Sequence, residues 1–355
     1  MHRTHLKVLG GALGLLLTAL LISTVFYRWN LGGDAPLLVP RFSVREFFRD
    51  LPGHLDWLVP FALLTASLIP LRAIQWQRTL SRKVPFAERY HLVAIGAFTH
   101  NALPGKLGDV FRAFLMSRSQ RIPFVRSLGS VAVCKLLEFA ALVSVATLSL
   151  LGPVGDLLAQ FAVALRSAAL GCLALVAAVV LLAHFAAPLA QALKRRHRMP
   201  KLQLFLYEVG EGLGTARSFR GMALALLFSF PPVIASALAY GSGLAGMGLP
   251  HGLFAGAVVL GAIALGQTTP GLPVGMGVYY FVTSWMARKL GAEPQEAAAY
   301  AALTHVTTLL TNISVGGLSV WKRGLGWREL IRRTRRAREE ARQVEREAEV
   351  PEGAT

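Results

Sequence analysis

Charged residues are scarce in this sequence. Asp, Glu, Lys and Arg make up only 16% of its 355 residues, whereas they make up about a quarter of a typical soluble domain. Hydrophobic residues account for 54%, and the mean hydropathy is +0.50. Charge is almost absent from five long stretches, which are 8–26, 57–71, 139–151, 170–189 and 222–238. This distribution excludes a soluble globular protein.

Several of these apolar stretches approach the ~20 residues that an α-helix needs to cross ~30 Å of hydrocarbon. They are continuous, whereas the strands of a membrane barrel alternate between polar and apolar residues. We therefore predict an all-α, polytopic membrane helical bundle. The first stretch has no small-x-small cleavage site before Arg28, so we expect it to remain as the first membrane helix.

Signatures of redox, metal and enzyme chemistry are also missing. The two cysteines, Cys134 and Cys172, lie in apolar segments and offer neither a disulfide framework nor a metal-ligand spacing. No Gly-x-Ser-x-Gly, His-Glu-x-x-His or Walker loop is present. A Gly-x-Gly-x-x-Gly match at 241–246 ends an apolar stretch and does not link a strand to a helix. We expect no enzyme activity, no metal and no cofactor.

What the sequence does have is an excess of basic residues, with a net charge of +18. In a soluble protein this would suggest nucleic acid, but here Lys and Arg flank the apolar stretches, which is typical of membrane topology. They cluster at 3–7, 78–89, 118–126, 194–201 and in the tail after 322. We predict an inner-membrane protein with both termini in the cytoplasm. Four arginines between 28 and 54, on the predicted outer side, are an exception.

The segment 91–118 does not fit a simple crossing. A straight helix would place Lys106, Asp109 and Arg112 near the middle of the bilayer, at ~2.5–3.5 kcal/mol each. Two half-helices broken at Pro104 and Gly105 would instead place these charges in a protein-lined cavity, where irregular backbone is tolerated. We predict a re-entrant hairpin.

A second segment, 254–290, repeats this pattern without charge. Its break is expected at Pro270, Gly271, Pro273 and Gly275, and the spacing Pro104-x-x-x-Gly108 recurs as Pro273-x-x-x-Gly277. Three predicted crossings separate the two hairpins, so they would enter from opposite faces. Paired, proline-interrupted segments are typical of inverted-repeat transporters. The alternative is that Pro and Gly are simply common in membrane helices.

We divide the chain into a multi-pass transmembrane domain, 1–321, and a charged cytoplasmic tail, 322–355. The domain has a first half, 1–190, and a second half, 221–321. Between them, 191–220 is a basic linker with an interfacial helix, predicted from apolar residues at helical spacing. Pro231 and Pro232 should kink or break the next span. The tail has few apolar residues, and we expect it to be a solvated helix or partly disordered, with its basic first part near anionic lipid headgroups.

Two pairs of opposite charges are the main site candidates. Asp109 and Arg112 are three residues apart, as are Lys135 and Glu138, so each pair shares a helix face. Arginine binds phosphate through two parallel hydrogen bonds, and charges inside a membrane face the bundle interior. The alternative for each pair is a structural ion pair. We add Asn101, Lys106 and Arg118 as substrate-binding candidates, and Gln267, Tyr280 and His305 as polar candidates of the second half.

The stretch from Asn101 to Leu115, followed by the stretch from Ser127 to Glu138, resembles the flippase-like family of multi-pass proteins. This family includes the transmembrane domain of lysyl-phosphatidylglycerol synthases and the membrane part of certain archaeal dolichyl-phosphate glycosyltransferases. The family's first motif is matched by Pro104, Gly108, Asp109, Arg112, Lys135 and Glu138. Its second motif, a glycine turn, is matched by Pro273, Gly275 and Gly277. The resemblance extends from the first span to about Trp321.

Two positions depart from the family pattern. Tyr280 stands where the family often has a glutamate, which casts doubt on proton coupling through that carboxylate, and Cys134 replaces a usual acidic residue. We find no fused soluble transferase domain, so the resemblance implies movement or presentation of a lipid, not its synthesis. The substrate would be an anionic or aminoacylated phospholipid or a polyprenyl phosphate. The alternatives are an accessory subunit that binds lipid for a separate lipid-modifying enzyme, and a lipid-linked transferase.

Overall fold

The computed structural model describes residues 16–30, 37–41, 45, 49, 51–102, 107–149, 162–195, 200–267 and 276–349. Apart from one small antiparallel sheet, the regular structure is helical, which confirms the predicted all-α class. In chain order the helices are α1 (Leu16–Phe26), α2 (Leu55–Trp76), α3 (Phe86–Ala102), α4 (Gly108–Gln120), α5 (Phe124–Leu148), α6 (Ala162–Arg195), α7 (Pro200–Gly212), α8 (Phe219–Leu227), α9 (Phe230–Gly246), α10 (Gly252–Gln267), α11 (Met276–Lys289), α12 (Pro294–Lys322) and α13 (Trp327–Glu349). The sheet pairs β1 (Tyr27–Trp29) with β2 (Leu38–Pro40), and 3-10 turns span Leu51–His54 and Gly214–Arg217.

Four helical stretches of the described chain are long and apolar enough to cross a membrane. They are Leu51–Trp76, Phe124–Leu148, Leu165–Arg195 and Phe219–Gly246, and shorter apolar helices span Leu16–Phe26 and Gly252–Gln267. The prediction of a multi-pass membrane protein is therefore confirmed. The stretch Phe219–Gly246 is broken as predicted, since α8 ends at Leu227 and α9 begins at Phe230. Pro231 and Pro232 lie in the first turn of α9, where a missing backbone N–H costs no helical hydrogen bond.

The chain divides into two compact units. Unit 1 comprises Met1–Ser67, Ser144–Leu165 and Val233–Thr311. Its hydrophobic core includes Trp57, Phe61, Leu244, Val259 and Tyr300. Helix α10 lies against α9 at a crossing of small residues, because a Cβ on Gly256 would be only 1.8 Å from the carbonyl oxygen of Ala237. Close backbone approach through small residues is how membrane helices gain packing contacts without a hydrophobic driving force.

Unit 2 comprises Leu68–Val143, Arg166–Pro232 and Asn312–Thr355. Its largest core cluster includes Trp76, Ile95, Phe111, Met116 and Leu330. Helices α3 and α4 pack against each other, and both pack into this cluster. The core therefore fixes α4, which carries the first pair of candidate charges, against α3.

The tail forms a helix, which is one of the two states expected from the sequence, but one face of this helix is buried and not solvated. Helix α13 packs against α4, with Leu330 and Ala337 fully buried in the core of unit 2. An ion pair between Glu340 and Arg118 joins the same two helices. The linker helix α7 is likewise held within this unit, where Glu208 accepts a 2.9 Å hydrogen bond from Nε of Arg126. Both segments are parts of unit 2 and not appendages to it.

Candidate functional site

The candidate site lies in unit 2, where α3 crosses α4. A Cβ on Gly108 would lie 2.2 Å from the carbonyl oxygen of Gly96, so a side chain larger than hydrogen is excluded at the crossing. Beside it is a pocket of about 220 Å³. The pocket is lined by apolar residues and by the polar residues Arg72, His100, Asn101, Asp109, Arg112, Lys135 and Asn312.

Asp109 and Arg112 form the pair that their spacing predicts. Both lie on α4, and Arg112 Nε is 3.0 Å from Asp109 Oδ1. Asp109 is in the first turn of the helix, where the positive end of the helix dipole stabilises a carboxylate. The cap residue Leu107 offers no side-chain hydrogen bond there. Helix α4 therefore begins with a negative charge and places a positive charge one turn further along.

Three more charges extend this pair into a chain of contacts. Lys135 Nζ lies 3.6 Å from Asp109 Oδ2 and 3.2 Å from Glu138 Oε2. Arg72 Nε, on α2, lies 3.3 Å from Glu138 Oε1. We call Arg72, Asp109, Arg112, Lys135 and Glu138 the charge network. In their ordinary ionised forms these residues supply three positive and two negative charges, so the network has an excess of one positive charge.

Arg112 is the most enclosed cation of the network, with 3% of its surface exposed. Its guanidinium carbon lies 5.0 Å from the centre of the Trp76 ring, a contact that stabilises a desolvated cation. Its Nη2 is buried and has no hydrogen-bond acceptor within the described residues. Its Nε is close to Asp109 but not in the geometry of a hydrogen bond. The guanidinium therefore has unused donors, which is costly unless an anion supplies acceptors.

The other candidates of the first half are not all in the pocket. Asn101 lines it and donates a 2.8 Å hydrogen bond to the carbonyl of Ala97. Arg118 does not line it, because its side chain pairs with Glu340 and lies over the ring of Phe114, 5.1 Å from its centre. Lys106 and the expected hairpin break at Pro104 and Gly105 lie outside the described residues.

The polar candidates of the second half belong to unit 1. The ring of His305 packs beside the rings of Tyr279 and Tyr280, at centroid distances of 4.8 and 5.0 Å. Gln267 is the last residue of α10, and Gly277 approaches the backbone of Thr18 on α1. The structure therefore does not add these residues to the charge network. The remaining turn residues, Pro270, Gly271, Pro273 and Gly275, lie outside the described residues.

Sequence reasoning missed Arg72. The apolar stretch 57–71 ends just before Arg72, yet α2 continues to Trp76, so Arg72 lies inside the helix and is its only charged residue besides Asp56 in the first turn. A charge within a membrane helix faces the bundle interior, and this rule could have identified it. Asn312, which lines the pocket from α12, was not among the predicted site residues either.

The sequence matches the model of one protein family. The model of the lysylphosphatidylglycerol synthase TM region matches residues 10–316, which include all five residues of the charge network. This match confirms the resemblance seen in the motifs around Asp109 and Lys135. No curated protein and no solved structure matches the chain.

Proposed function

The chain belongs to the family of the lysylphosphatidylglycerol synthase TM region, and we propose that it moves an anionic phospholipid between the two leaflets of the membrane. The observation that supports this most directly is the charge network beside the pocket of unit 2. Its one excess positive charge matches the single negative charge of a phosphodiester. Arg112 supplies the unused donors that a phosphate group would accept. A polyprenyl phosphate also offers phosphate oxygens to Arg112, but as a monoester it carries up to two negative charges, so the charge network matches a phosphodiester better.

Each residue of the network has a role in this proposal. Arg112 binds the phosphate oxygens, and Asp109 orients its guanidinium through the ion pair. Lys135 lies between the two carboxylates and is half exposed to the pocket, so it is the second cation that a phosphate reaches. Glu138, one turn further along α5, holds Lys135 in place, and Arg72 on α2 holds Glu138 from the other side. The pocket would therefore bind the headgroup, while the apolar lining residues contact the glycerol region.

We also propose that α3 with α4, and α10 with α11, are two re-entrant hairpins related as inverted repeats. None of these four helices exceeds 17 residues, or about 26 Å at 1.5 Å per residue, and a crossing of the hydrocarbon needs ~30 Å. Three candidate spans separate the two pairs along the chain. An odd number of crossings supports entry from opposite faces, as expected for an alternating-access transporter.

The orientation of the protein gives the first prediction. With both termini in the cytoplasm, cysteines at Lys83 and Lys194 should be shielded from an impermeant thiol reagent in intact cells, and a cysteine at Gln295 should be labelled. All three positions are exposed on the protein. The native Cys134 and Cys172 are buried and should give little background. Labelling of a cysteine at position 194 in sealed cells would show that the predicted orientation is wrong.

Lipid movement itself is tested in liposomes with fluorescent lipids. Wild-type protein should speed the exchange of phosphatidylglycerol between leaflets more than that of phosphatidylcholine, which has no net charge. Lys135→Gln removes the excess positive charge and should slow phosphatidylglycerol exchange about threefold to tenfold, the effect of one charged hydrogen bond at a half-exposed site.

The matched control is Lys322→Gln, an exposed lysine at the end of α12, which should exchange lipid at the wild-type rate. Wild-type protein that binds phosphatidylglycerol but leaves its exchange at the rate of protein-free liposomes would refute transport. That result would favour the accessory role, in which lipid is presented to a separate lipid-modifying enzyme.

A further inference from the structure

A second pocket, in unit 1, has a lining that the charge network does not explain. It has a volume of about 100 Å³ and is formed by α1, α11 and the residue after β2. Its polar lining residues are Thr24, Arg41, Ser284, Trp285 and Arg288. Val25, Phe281 and Pro294 complete the wall. Two guanidinium groups thus face a small cavity that also has an apolar side.

Local structure fixes both arginines at this pocket. Arg41 directly follows β2, and its backbone N–H donates a 2.9 Å hydrogen bond to the carbonyl of Phe26. This bond anchors Arg41 to the end of α1. Arg288 lies in the last turn of α11, where the negative end of the helix dipole stabilises a cation. The sheet and the helix therefore hold two positive charges at the same cavity.

Among the residues that the structure describes, the positive charges at this pocket are not balanced by a carboxylate. Burial lowers the pKa of Arg41, and repulsion from Arg288 and then Arg28 lowers it further. Within the described part of the chain none of these three arginines forms an ion pair with a carboxylate. Like charges held together without a counter-charge are unfavourable, so the arrangement favours binding of an anion.

Ser284 gives a second, independent indication of a ligand. Only 5% of its surface is exposed, yet it lines the pocket. Among the described residues its hydroxyl makes no hydrogen bond, although many Ser and Thr hydroxyls of these helices bond to a carbonyl one turn earlier. The hydroxyl oxygen opens onto the pocket, so a ligand or a water molecule can reach it and complete its hydrogen bonding. The free hydroxyl and the two guanidiniums are donors of the kind that phosphate oxygens accept.

We propose that this pocket binds the phosphate group of an anionic membrane lipid, as a site separate from the charge network. Trp285 and Phe281 supply the amphipathic and apolar surfaces that a lipid has beside its phosphate and that free phosphate lacks. The site also accounts for arginines on the side of the membrane where the topology rule disfavours them, since Arg28 and Arg41 follow the first span. Binding does not depend on the proposed transport, and only a role of the site in the transport cycle rests on it.

The test uses the full-length protein in nanodiscs of phosphatidylcholine and phosphatidylglycerol. A phosphatidylglycerol with a photoreactive diazirine beside its phosphate should label the peptide that contains 281–288, as measured by mass spectrometry. Excess phosphatidylglycerol should abolish the labelling, and excess phosphatidylcholine should not. The double variant Arg41→Gln, Arg288→Gln should lose about tenfold of the labelling, because charged hydrogen bonds to phosphate are lost.

Two further double variants serve as controls. The Arg41→Lys, Arg288→Lys protein keeps both positive charges but loses the paired donors of the planar guanidinium groups. Its labelling should lie between that of the wild type and that of the Arg41→Gln, Arg288→Gln protein. This result would show that a folded pocket responds to the geometry of its donors. Arg45→Gln with Arg220→Gln removes two exposed arginines that do not line the pocket and should label as wild type.

Wild-type labelling in the Arg41→Gln, Arg288→Gln protein would overturn the site. Loss of labelling on addition of millimolar inorganic phosphate would assign the pocket to free phosphate and overturn the lipid. Labelling of 281–288 by a protein that exchanges no lipid in liposomes would refute transport alone and leave this site standing.

Discussion

Arg112→Gln protein is expected to exchange phosphatidylglycerol at least about tenfold more slowly than wild type. Arg112 is the buried cation of the charge network, and a charged hydrogen bond in such a site contributes about 1.5–3 kcal/mol. Arg112→Lys keeps the charge but loses the two parallel donors, so its rate should fall between those of the wild type and Arg112→Gln. Exchange is measured with fluorescent phosphatidylglycerol in liposomes.

A structural role for Arg112 predicts a different outcome. If the guanidinium only braced α4 through Asp109 and Trp76, both substitutions would lower thermal stability in detergent in proportion to any loss of exchange. Arg121→Gln is the matched control, because Arg121 is an exposed arginine at the end of the same helix. It should exchange lipid normally. Well-folded Arg112→Gln protein with the wild-type rate would refute the role of Arg112 in phosphate binding.

The largest loss of stability is expected from Gly256→Ala. The new methyl group would lie 1.8 Å from the carbonyl oxygen of Ala237 and 2.7 Å from the backbone nitrogen of Gly241. Backbone atoms of a helix cannot rotate away, so α10 and α9 must separate and lose contacts along their length. We expect a loss of about 3 kcal/mol or more, the upper range for overpacking. Thermal unfolding in detergent, followed by size-exclusion chromatography, measures it.

Gly171→Ala is the control for this substitution. Gly171 lies within α6, and a Cβ there would meet no atom within 4 Å. Alanine is the better helix former by about 0.5–1 kcal/mol, so this protein should be as stable as wild type or slightly more so. Equal melting temperatures for the Gly256→Ala and Gly171→Ala proteins would show that the crossing of α9 and α10 has room for a methyl group.

Much of the site could be predicted because membrane burial restricts where charge is found. Asp109 and Arg112 share a helix face by their spacing, and Lys135 and Glu138 do so on α5. Because charges in lipid are costly, both pairs had to face protein. Spacing within one helix does not give the distance to another helix, so the contact between Lys135 and Asp109 became known only from the packing of α4 with α5.

The tail shows where sequence patterns are too weak. Helix α13 buries Leu330, Thr334 and Ala337, which recur at helical spacing but include only one large apolar residue. Most of its other side chains are arginine and glutamate, so a hydropathy scale predicts a solvated helix. Small side chains allow the helix to approach α4 closely, and this packing depends on the shape of the partner surface, which the tail's own composition does not encode.

In the proposed transport, the charge network would determine how the membrane potential acts on the protein. A phosphodiester bound there would cancel the excess positive charge, so the occupied site has no net charge to move through the electric field. Moving one unbalanced charge through 100 mV changes the energy by about 2.3 kcal/mol. The voltage would therefore act on the return of the empty site and leave the step that moves lipid unaffected.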